Sequence, residues 1–387
     1  MISLDEALGL IEKHRTDWGV ETRALRNANG RILASDIFAD FTQPAFPTSK
    51  MDGYALRKVD LGSVLTVVGE SRAGRPYDGR LREDETVRIF TGAILPEGAD
   101  IVEIQEYATV DHHGDRELLS FTQISKGRDY VRLAGSDFKQ RDRLFDAGTR
   151  ITPGVMMALA NANVSDVLVK KMPTMALLRG GDELKPLGSR LKTGQIIDSN
   201  GPSLIALMTG WGIDVEDLGI VSDNPDDIHS RLSKCEAEII VTVGGASVGD
   251  YDHMKSSTLE IGFNPIFATV AVKPGKPVWL SHRKEQLILG LPGNPHSAWS
   301  CAHLFLAHLL GRGLTWRTYH LTDGLCENGI REQFIRGKLD TNGGVSPLNA
   351  QTGISLSIAQ ADVLIRRAPL ADELAAGQKV TCLHIHY

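Results

Sequence analysis

The sequence has few cysteines, few aromatic residues and no long hydrophobic run, and each shortage excludes a class of protein. Four cysteines in 387 residues are too few for a disulfide scaffold, and their spacing matches no zinc motif. No apolar run approaches the ~18 residues that a membrane-spanning helix needs. Aromatic residues make up 6% of the chain and glycines number 39, which favours α/β or β architecture with many turns over a helical bundle.

The chain also lacks a surplus of positive charge. It has 42 Lys and Arg against 48 Asp and Glu, a net charge of −6, which is a poor composition for gripping nucleic-acid phosphates. A local site can still invert the global sign, so an anionic ligand remains open. The first residues lack the basic and apolar regions of a signal peptide. We therefore expect a cytoplasmic protein that binds neither nucleic acid nor membrane.

The pattern of apolar and turn residues divides the chain into regions, and its length predicts two to four domains. Ser3 and Glu6 have the spacing of a capping box at the start of a helix. Residues 44–145 are predicted to be mostly β, with short strands between Gly and Pro turns. A second helical run covers 155–162, and residues 313–387 return to short alternating strands, which predicts a small all-β domain.

Residues 171–312 have a different pattern, in which short apolar strands alternate with helices. Strands are predicted at Met175–Leu178, Ile239–Val243 and Leu287–Leu289, and a long apolar helix at Ala298–Leu310. Nearly continuous apolar strands between helices are typical of a parallel sheet covered on both faces. The pattern predicts a doubly wound α/β domain.

Three strands of this α/β region end in loops rich in glycine. The loops are Arg179–Glu183, Gly244–Asp252 and Gly290–Ser297. Ligands of open α/β sheets bind beyond the carboxyl ends of the strands, and glycines let backbone N–H groups approach an anion closely. One such loop alone is usually only a turn. Three of them predict a common crevice, with Ser297 as a helix cap or hydroxyl donor.

The same loops carry carboxylates, which would repel a phosphate unless a cation lay between them. The four are Asp182, Glu183, Asp250 and Asp252. Mg²⁺ commonly takes one or two carboxylates together with phosphate oxygens. The combination therefore favours a metal-bridged phosphate or pyrophosphate.

Three further segments are ambiguous by themselves. Lys273–Pro277 places two lysines on a rigid turn, which suits a tetrahedral oxyanion but also fits a solvated surface turn. Thr48–Ala55 and Thr91–Ala93 look like hairpin or loop segments, in which Asp52 would be a turn residue.

Taken together, seven segments in order over about 250 residues resemble the molybdopterin molybdenumtransferase family, which includes bacterial MoeA-type proteins and the E domain of gephyrin-like proteins. The segments are Ser49–Ala55 after a proline-rich approach, Arg88–Ala93 with Pro96 and Gly98, Gly181–Leu184, Asp198–Asn200, Gly244–Asp252, Lys273–Pro277 and Pro292–Ser297. Each is weak alone, but their shared order is specific.

The resemblance implies a multidomain α/β plus β architecture. Its parts are an elongated helical and linking domain (1–43 and 146–170), an inserted β-rich domain (44–145), a central α/β molybdopterin-binding domain (171–312) and a C-terminal β-barrel-like domain (313–387). It also implies a homodimer whose active site combines the α/β domain of one subunit with the inserted domain of the other. Molybdopterin adenylyltransferase and molybdoenzymes are the implied partners.

The reaction that the resemblance implies is insertion of molybdenum from molybdate into adenylylated molybdopterin, with Mg²⁺ and release of AMP. The catalytic residues carried over from the family are Asp52, Thr91, Glu183, Asp223, Asp252, Lys273 and Lys276. Three of these, Glu183, Asp223 and Asp252, would hold the metal. The implied substrate-binding residues are Arg132, Gly244, Gly245, Ser247, Gly249, Gly293, Asn294, Ser297, Arg336 and Thr352.

The chain departs from the family pattern at several of these segments. The substituted positions are Ser136, Gly180, Thr269, His296 and Thr352. Thr269 stands where the family commonly has a lysine, so a positive charge is missing. Two alternatives to the enzyme therefore stay open. One is a paralogue that binds or delivers molybdopterin or molybdenum cofactor, and the other is a related phosphohydrolase acting on another nucleotide.

Overall fold

The computed structural model describes residues 1–245, 253–348 and 354–385. Within it the chain forms two compact units, one made of Met1–Gly19 with Lys171–Tyr387 and the other of Val20–Lys170. The helices are α1 (Leu4–His14), α2 (Pro153–Asn161), α3 (Asn200–Gly210), α4 (Pro225–Lys234), α5 (His253–Glu260), α6 (Pro295–Cys301), α7 (Ala307–Leu309) and α8 (Ile354–Ala359). A π-helical turn, Ala302–Leu306, joins α6 to α7. No helix in the described ranges is long and apolar enough to cross a membrane.

The first helix begins as its sequence predicts. The Ser3 hydroxyl accepts a hydrogen bond from the Glu6 N–H at 3.1 Å, and the Glu6 carboxylate accepts one from the Ser3 N–H at 2.7 Å. This reciprocal pair satisfies two N–H groups that a helix start leaves free. The buried face of α1, formed by Leu4, Ala7 and Ile11, packs into the same hydrophobic core as the α/β sheet of its unit.

The unit Val20–Lys170 is mostly β, as predicted for its central part. Its strands are β1 (Val20–Ala24), β2 (Ile37–Phe38), β3 (Thr48–Ser49), β4 (Gly53–Leu56), β5 (Leu65–Ser71), β6 (Glu85–Ile89), β7 (Ile101–Ile104), β8 (Ala108–His113), β9 (Arg116–Phe121), β10 (Val131–Arg132), β11 (Arg143–Phe145) and β12 (Asp166–Lys170). Six of them form a mixed sheet in the order β7-β4-β6-β5-β9-β8, and the others pair as β1-β12, β2-β11 and β3-β10.

The unit made of Met1–Gly19 and Lys171–Tyr387 contains an α/β sheet and a barrel. Its strands are β13 (Met175–Gly180), β14 (Leu184–Lys185), β15 (Ile196–Ile197), β16 (Val215–Val221), β17 (Ile239–Val243), β18 (Asn264–Phe267), β19 (Val272–Lys273), β20 (Trp279–Arg283), β21 (Gln286–Leu291), β22 (Trp316–Leu321), β23 (Glu332–Leu339), β24 (Gly344–Pro347), β25 (Val363–Arg367) and β26 (Lys379–His384). Short 3₁₀ helices cover Leu25–Asn27, Lys58–Asp60 and Gln105–Tyr107 of the other unit.

The α/β sheet has the order β16-β13-β17-β21-β20-β18, with its first four strands parallel. Alternate residues of one strand enter different cores. Met175 and Leu177 belong to the larger apolar cluster, whereas Ala176 and Leu178 belong to the cluster on the opposite face. Both faces are therefore covered, which confirms the doubly wound domain. From β13 the chain runs first to β16 and then back to β17, so the strand order reverses between β13 and β17.

The last β strands close on themselves. β23 pairs with β24, β24 with β22, β22 with β26, β26 with β25, and β25 again with β23. This ring of five strands is the predicted C-terminal barrel. The short strand β19 adds to its outside in parallel with β23, so the lysine turn that begins at Lys273 starts beside the barrel.

The contact between β20 and β21 leaves no room for a side chain at Gly290. A Cβ there would lie 2.0 Å from the indole of Trp279, which is fully buried on the facing strand. We expect Gly290→Ala to lower the free energy of unfolding by about 1–3 kcal/mol, because an overpacked core must shift.

Urea unfolding of the full chain checks this effect, with Gly9→Ala as the matched control. Gly9 lies in α1, and a Cβ on it would have no atom within 4 Å, so alanine there should be neutral or slightly stabilising. Equal unfolding midpoints for both variants would contradict the packing described.

Candidate functional site

One cavity of the described α/β domain, which we call the main cavity, lies where the sequence predicts a crevice. It has a volume of about 520 Å³ and opens at the carboxyl ends of β13, β16, β17 and β21. Its lining includes the predicted residues Glu183, Asp223, Gly244, Gly245, Gly293, Asn294 and Ser297. Three predicted residues of the second loop, Ser247, Gly249 and Asp252, lie outside the described residues. The structure thus brings the described parts of all three glycine loops together.

Close approach of the backbones explains the glycines of this cavity. Gly244 has φ +86°, and a Cβ on it would lie 2.4 Å from the carbonyl oxygen of Gly180. A Cβ on Gly293 would in turn come within 3.3 Å of the Gly244 Cα. Since no side chain fits between these strands' ends, this part of the cavity wall is main chain. The Gly244 N–H there donates to the Leu291 carbonyl at 3.2 Å.

Three carboxylates face one another at the same edge. The Asp223 N–H donates to Asp182 Oδ1 at 3.2 Å, and Asp223 and Glu183 both line the cavity. Burial raises the pKa of Asp223, and the negative charges of Asp182 and Glu183 raise it further. Repulsion among these groups is the electrostatic state that a bound cation relieves. The described residues contain no set of three His, Cys, Asp or Glu arranged around a metal position.

The loop before α6 is fixed by two asparagine side chains. Asn294 Oδ1 accepts from the N–H groups of His296 at 3.0 Å and Ser297 at 3.4 Å, so Asn294 is the helix cap. Asn200 Nδ2 donates to the Gly293 carbonyl at 2.8 Å. Of the two roles predicted for Ser297, the cap therefore falls to Asn294. The Ser297 residue lines the cavity instead.

The lysine turn reaches the cavity through its proline rather than its lysines. Pro277 lines the cavity, whereas Lys273 and Lys276 are exposed and form no ion pair with another described residue. Gly275 has φ +111°, and a Cβ there would lie 2.3 Å from the sulfur of buried Cys301. The turn therefore lies directly against α6 at Gly275.

Arg336 is a buried cation whose guanidinium is not fully used. It lies on β23 with 5% of its surface exposed, and its Nε and Nη1 have no hydrogen-bond partner among the described residues. Burial lowers its pKa. His296 Nε2 is likewise buried without a described partner, and burial together with the charge of Arg336 lowers the His296 pKa to about 4. Thr352, the predicted neighbour of Arg336, lies outside the described residues.

Sequence reasoning missed one charged cluster at the wall of the cavity. Arg179, at the end of β13, donates through Nε to Asp198 Oδ2 at 2.9 Å and through Nη1 to Asp217. Asp198 also accepts from the Gly201 N–H at 2.9 Å, which holds the start of α3. Arg179 and Asp198 are both more than nine-tenths buried. The available signal was a lone arginine at the end of an otherwise apolar strand.

The remaining predicted residues lie in the unit Val20–Lys170. Thr91 donates to Asp52 Oδ1 through both its N–H and its hydroxyl, each at 2.8 Å. The backbone hydrogen bond from Thr91, followed by its hydroxyl, lowers the pKa of Asp52. Arg132 is ion-paired with Asp137, and its Nε donates to the hydroxyl of Ser136 at 3.3 Å. Asp52 and Thr91 thus form one hydrogen-bonded pair, and Arg132 forms its bonds with Asp137 and Ser136.

Removing the Arg179 guanidinium should destabilise the unit that contains it. In Arg179→Met the buried Asp198 carboxylate keeps its charge and loses its partner, which typically costs about 3–5 kcal/mol. We expect a clear fall in the thermal unfolding midpoint. Arg190→Met is the control, because Arg190 is exposed and forms no ion pair with a described residue. Unfolding midpoints that fall equally in both variants would contradict this role.

The low pKa of His296 predicts a specific loss of stability in acid. The histidine pKa is ordinarily 6.5, and that of folded His296 is about 4. At a pH between these two values, the unfolded chain binds a proton that the folded chain does not. The free energy of unfolding should therefore decrease as the pH is lowered through that window, by at most about 3 kcal/mol. Urea titrations near pH 7 and near pH 5 measure it. His296→Gln should show a smaller fall than wild type, while His320→Gln, at an exposed barrel position, should not.

Comparisons with known proteins agree over nearly the whole chain. Residues 2–163 match the MoeA N-terminal region (domain I and II), residues 177–312 a probable molybdopterin binding domain, and residues 318–385 the MoeA C-terminal region (domain IV).

Two curated relatives carry the name molybdopterin molybdenumtransferase. The protein from Haemophilus influenzae is 34% identical, with 77% of this chain and 74% of that protein aligned. The protein from Nostoc sp. is 31% identical, with 97% and 91% aligned. A crystal structure of a molybdopterin biosynthesis MoeA protein from Pyrococcus horikosii covers all of both chains with a TM-score of 0.79 at 27% identity. The chain belongs to the MoeA family of molybdopterin molybdenumtransferases.

Proposed function

We propose that this protein inserts molybdenum from molybdate into adenylylated molybdopterin, with Mg²⁺, and releases AMP. The observation that carries the proposal is the composition of the main cavity, in which closely packed glycines lie beside the carboxylates of Glu183 and Asp223, neither ion-paired with a described residue. Glycine N–H groups suit phosphate oxygens, and uncompensated carboxylates suit a hard cation that bridges to them. A pyrophosphate linkage is the substrate group that uses both.

The donor set fits magnesium. Glu183 and Asp223 supply oxygen ligands, with Asp252 as the third predicted ligand outside the described residues. Bound there, the ion would polarise the pyrophosphate and stabilise the charge of the departing AMP. Mg²⁺ usually binds through one or two carboxylates plus substrate phosphate oxygens, so two described ligands are enough to hold it when substrate is present.

The glycine loops would hold the phosphates in place. Gly244 and Gly245 line the cavity and would let a phosphate approach the main chain closely. The predicted residues Ser247 and Gly249 follow them in the sequence. Across the cavity, the loop at Gly293 is tied to α3 through Asn200, and Ser297 adds a hydroxyl at the start of α6. A site fixed in this way loses little conformational entropy when it orders around the anion.

Molybdate, as the second substrate, would be held by the cations of the barrel side. Arg336 has two guanidinium nitrogens without a described partner, which is costly for a buried group unless an oxyanion completes them. Lys273 and Lys276 emerge from the turn beside β23 and would add two positive charges, with Thr352 as the predicted hydroxyl. Taking a doubly charged oxyanion out of water is costly unless cations are paired with it.

The proposed protein is a homodimer whose active site includes Asp52, Thr91 and Arg132. In that arrangement they would reach the site from the partner subunit. Thr91 donates two hydrogen bonds to Oδ1 of Asp52 and lowers the pKa of that carboxyl group. The other carboxylate oxygen of Asp52 would then be the one that acts on substrate or metal. The four predicted domain boundaries, the cytoplasmic location, and contact with molybdopterin adenylyltransferase and molybdoenzymes belong to the same proposal.

The first test is AMP release from adenylylated molybdopterin by the full chain, with Mg²⁺ and with or without molybdate. We expect release that depends on molybdate. Binding of the substrate with no release under either condition would overturn the enzyme and leave the delivery paralogue, which the uncharged Thr269 favours. Hydrolysis of ordinary dinucleotides would instead support the phosphohydrolase.

Asp223→Asn tests the carboxylate site directly. Removing the charge should lower kcat for AMP release by about 100-fold or more, as for other groups that stabilise charge in a transition state. Asp226→Asn is the matched control, because Asp226 lies three residues on, in the first turn of α4, outside the cavity lining. Equal turnover by both variants would remove Asp223 from the site.

A further inference from the structure

A cavity of about 800 Å³ lies in the unit Val20–Lys170, beside the edge strand β7 of its six-stranded sheet. Residues 121–130 form most of its lining, and Tyr107 completes it. We call it the edge cavity. No residue that the sequence predicts for a site lines it.

A buried carboxylate holds the segment 121–130 against β7. Glu103 is 2% exposed, and it accepts hydrogen bonds from the Ser125 N–H at 3.0 Å and from the Ser125 hydroxyl at 2.5 Å. The Val102 N–H donates to the Asp129 carbonyl at 2.9 Å. Because these bonds tie both parts of the segment to one strand, the lining of the edge cavity is ordered before a ligand binds, which lowers the cost of binding.

Aromatic residues enter the lining from both faces of the sheet. Phe121 packs edge to face on Tyr54, with 6.5 Å between the ring centroids, in the apolar cluster of one face. Tyr130 packs on the cluster of the other face. It has φ +50°, a left-handed conformation that is costly for a bulky residue and is commonly kept at ligand sites. With Tyr107, three aromatic residues line the edge cavity.

The charge of the edge cavity is opposite to that of the whole chain. Lys126 and Arg128 line it, and no carboxylate is among its described lining residues. Neither cation forms an ion pair or a side-chain hydrogen bond with a described residue. Since the chain has a net charge of −6, two unpaired cations beside aromatic residues make a local positive site.

This lining suits a ligand with two kinds of surface. The aromatic residues offer apolar area on which a flat ring can pack. The ammonium and guanidinium groups bind the oxygens of a phosphate or carboxylate through charge-assisted hydrogen bonds. An uncharged ring would leave the cations unpaired, and a bare anion would make no use of the apolar area.

We propose that the edge cavity is a binding site for a planar aromatic anion, a flat ring that carries a phosphate or a carboxylate. The ring packs among Tyr107, Phe121 and Tyr130, and the anionic group pairs with Lys126 and Arg128. This site goes beyond the proposed function and does not depend on the reaction in the main cavity.

Removing the two cations tests the site. The variant is Lys126→Met with Arg128→Met, and the control is Lys58→Met with Arg116→Met. The control removes the same charges from exposed positions of the same unit, outside the lining and without an ion pair to a described residue. Calorimetry measures binding of phenyl phosphate and of benzoate to the full chain. We expect the variant to weaken binding of at least one probe by about tenfold or more, and the control by less than about twofold.

Tyr107→Leu tests the contribution of the ring. We expect weaker binding of the same probe, by about fivefold, because the ligand ring loses packing area. Binding of inorganic phosphate, which has no ring, should not change. Equal weakening of both would show a site for a bare anion and overturn the proposal.

The two probes also distinguish the anionic groups. Selective weakening of phenyl phosphate binding assigns a phosphate, selective weakening of benzoate binding assigns a carboxylate, and weakening of both supports a site that accepts either. No saturable binding of either probe by wild type, binding that the removal of Lys126 and Arg128 leaves unchanged, or equal weakening by the control overturns the proposal. Thermal unfolding midpoints show that the variants are folded. Should the double variant unfold, Lys126→Met alone is held to the same outcomes.

Discussion

The site depends on the distance at which three stretches of backbone meet. Gly180, Gly244 and Gly293 end or follow neighbouring strands, and their main chains are so close that a Cβ on Gly244 would overlap the Gly180 carbonyl. Because no side chain can enter there, main chain forms this part of the cavity wall, at the point where the strand order reverses. A side chain at Gly244 would push the strand ends apart and fill the space between them.

Negative and positive side chains lie in different places around this wall, and burial strengthens the effect of their charges. Carboxylates gather at the ends of β13 and β16, where burial and mutual repulsion raise the pKa of Asp223. On the barrel side lie Arg336 and the two lysines, with no described carboxylate paired to them. Such an arrangement is unfavourable for an empty protein and favourable for one that binds a cation and an oxyanion at separate positions.

Much of the fold could be predicted from the sequence, because the signals were local. Continuous apolar runs revealed β13, β17 and β21, and the spacing of Ser3 and Glu6 located the start of α1. Glycine loops after those strands located the cavity. The Arg179 cluster escaped, because its partners lie 19 and 38 residues away and only folding brings them together. The roles of all the predicted site residues stay predictions, and those at 247, 249, 252 and 352 lie outside the described residues.

The strand β19 shows that a segment continuous in the sequence can share its hydrogen bonds with another part of this chain. Residues 171–312 were predicted as one domain, and a family model matches 177–312 as a block. Yet β19 takes its hydrogen bonds from the barrel strand β23, and Val270 bridges to Ile2 near the start of the chain. The core of the same block also includes α1. In this chain the block therefore shares its core and one strand pairing with segments before and after it. Excising residues 171–312 would remove α1 from the core and leave β19 without its barrel partner.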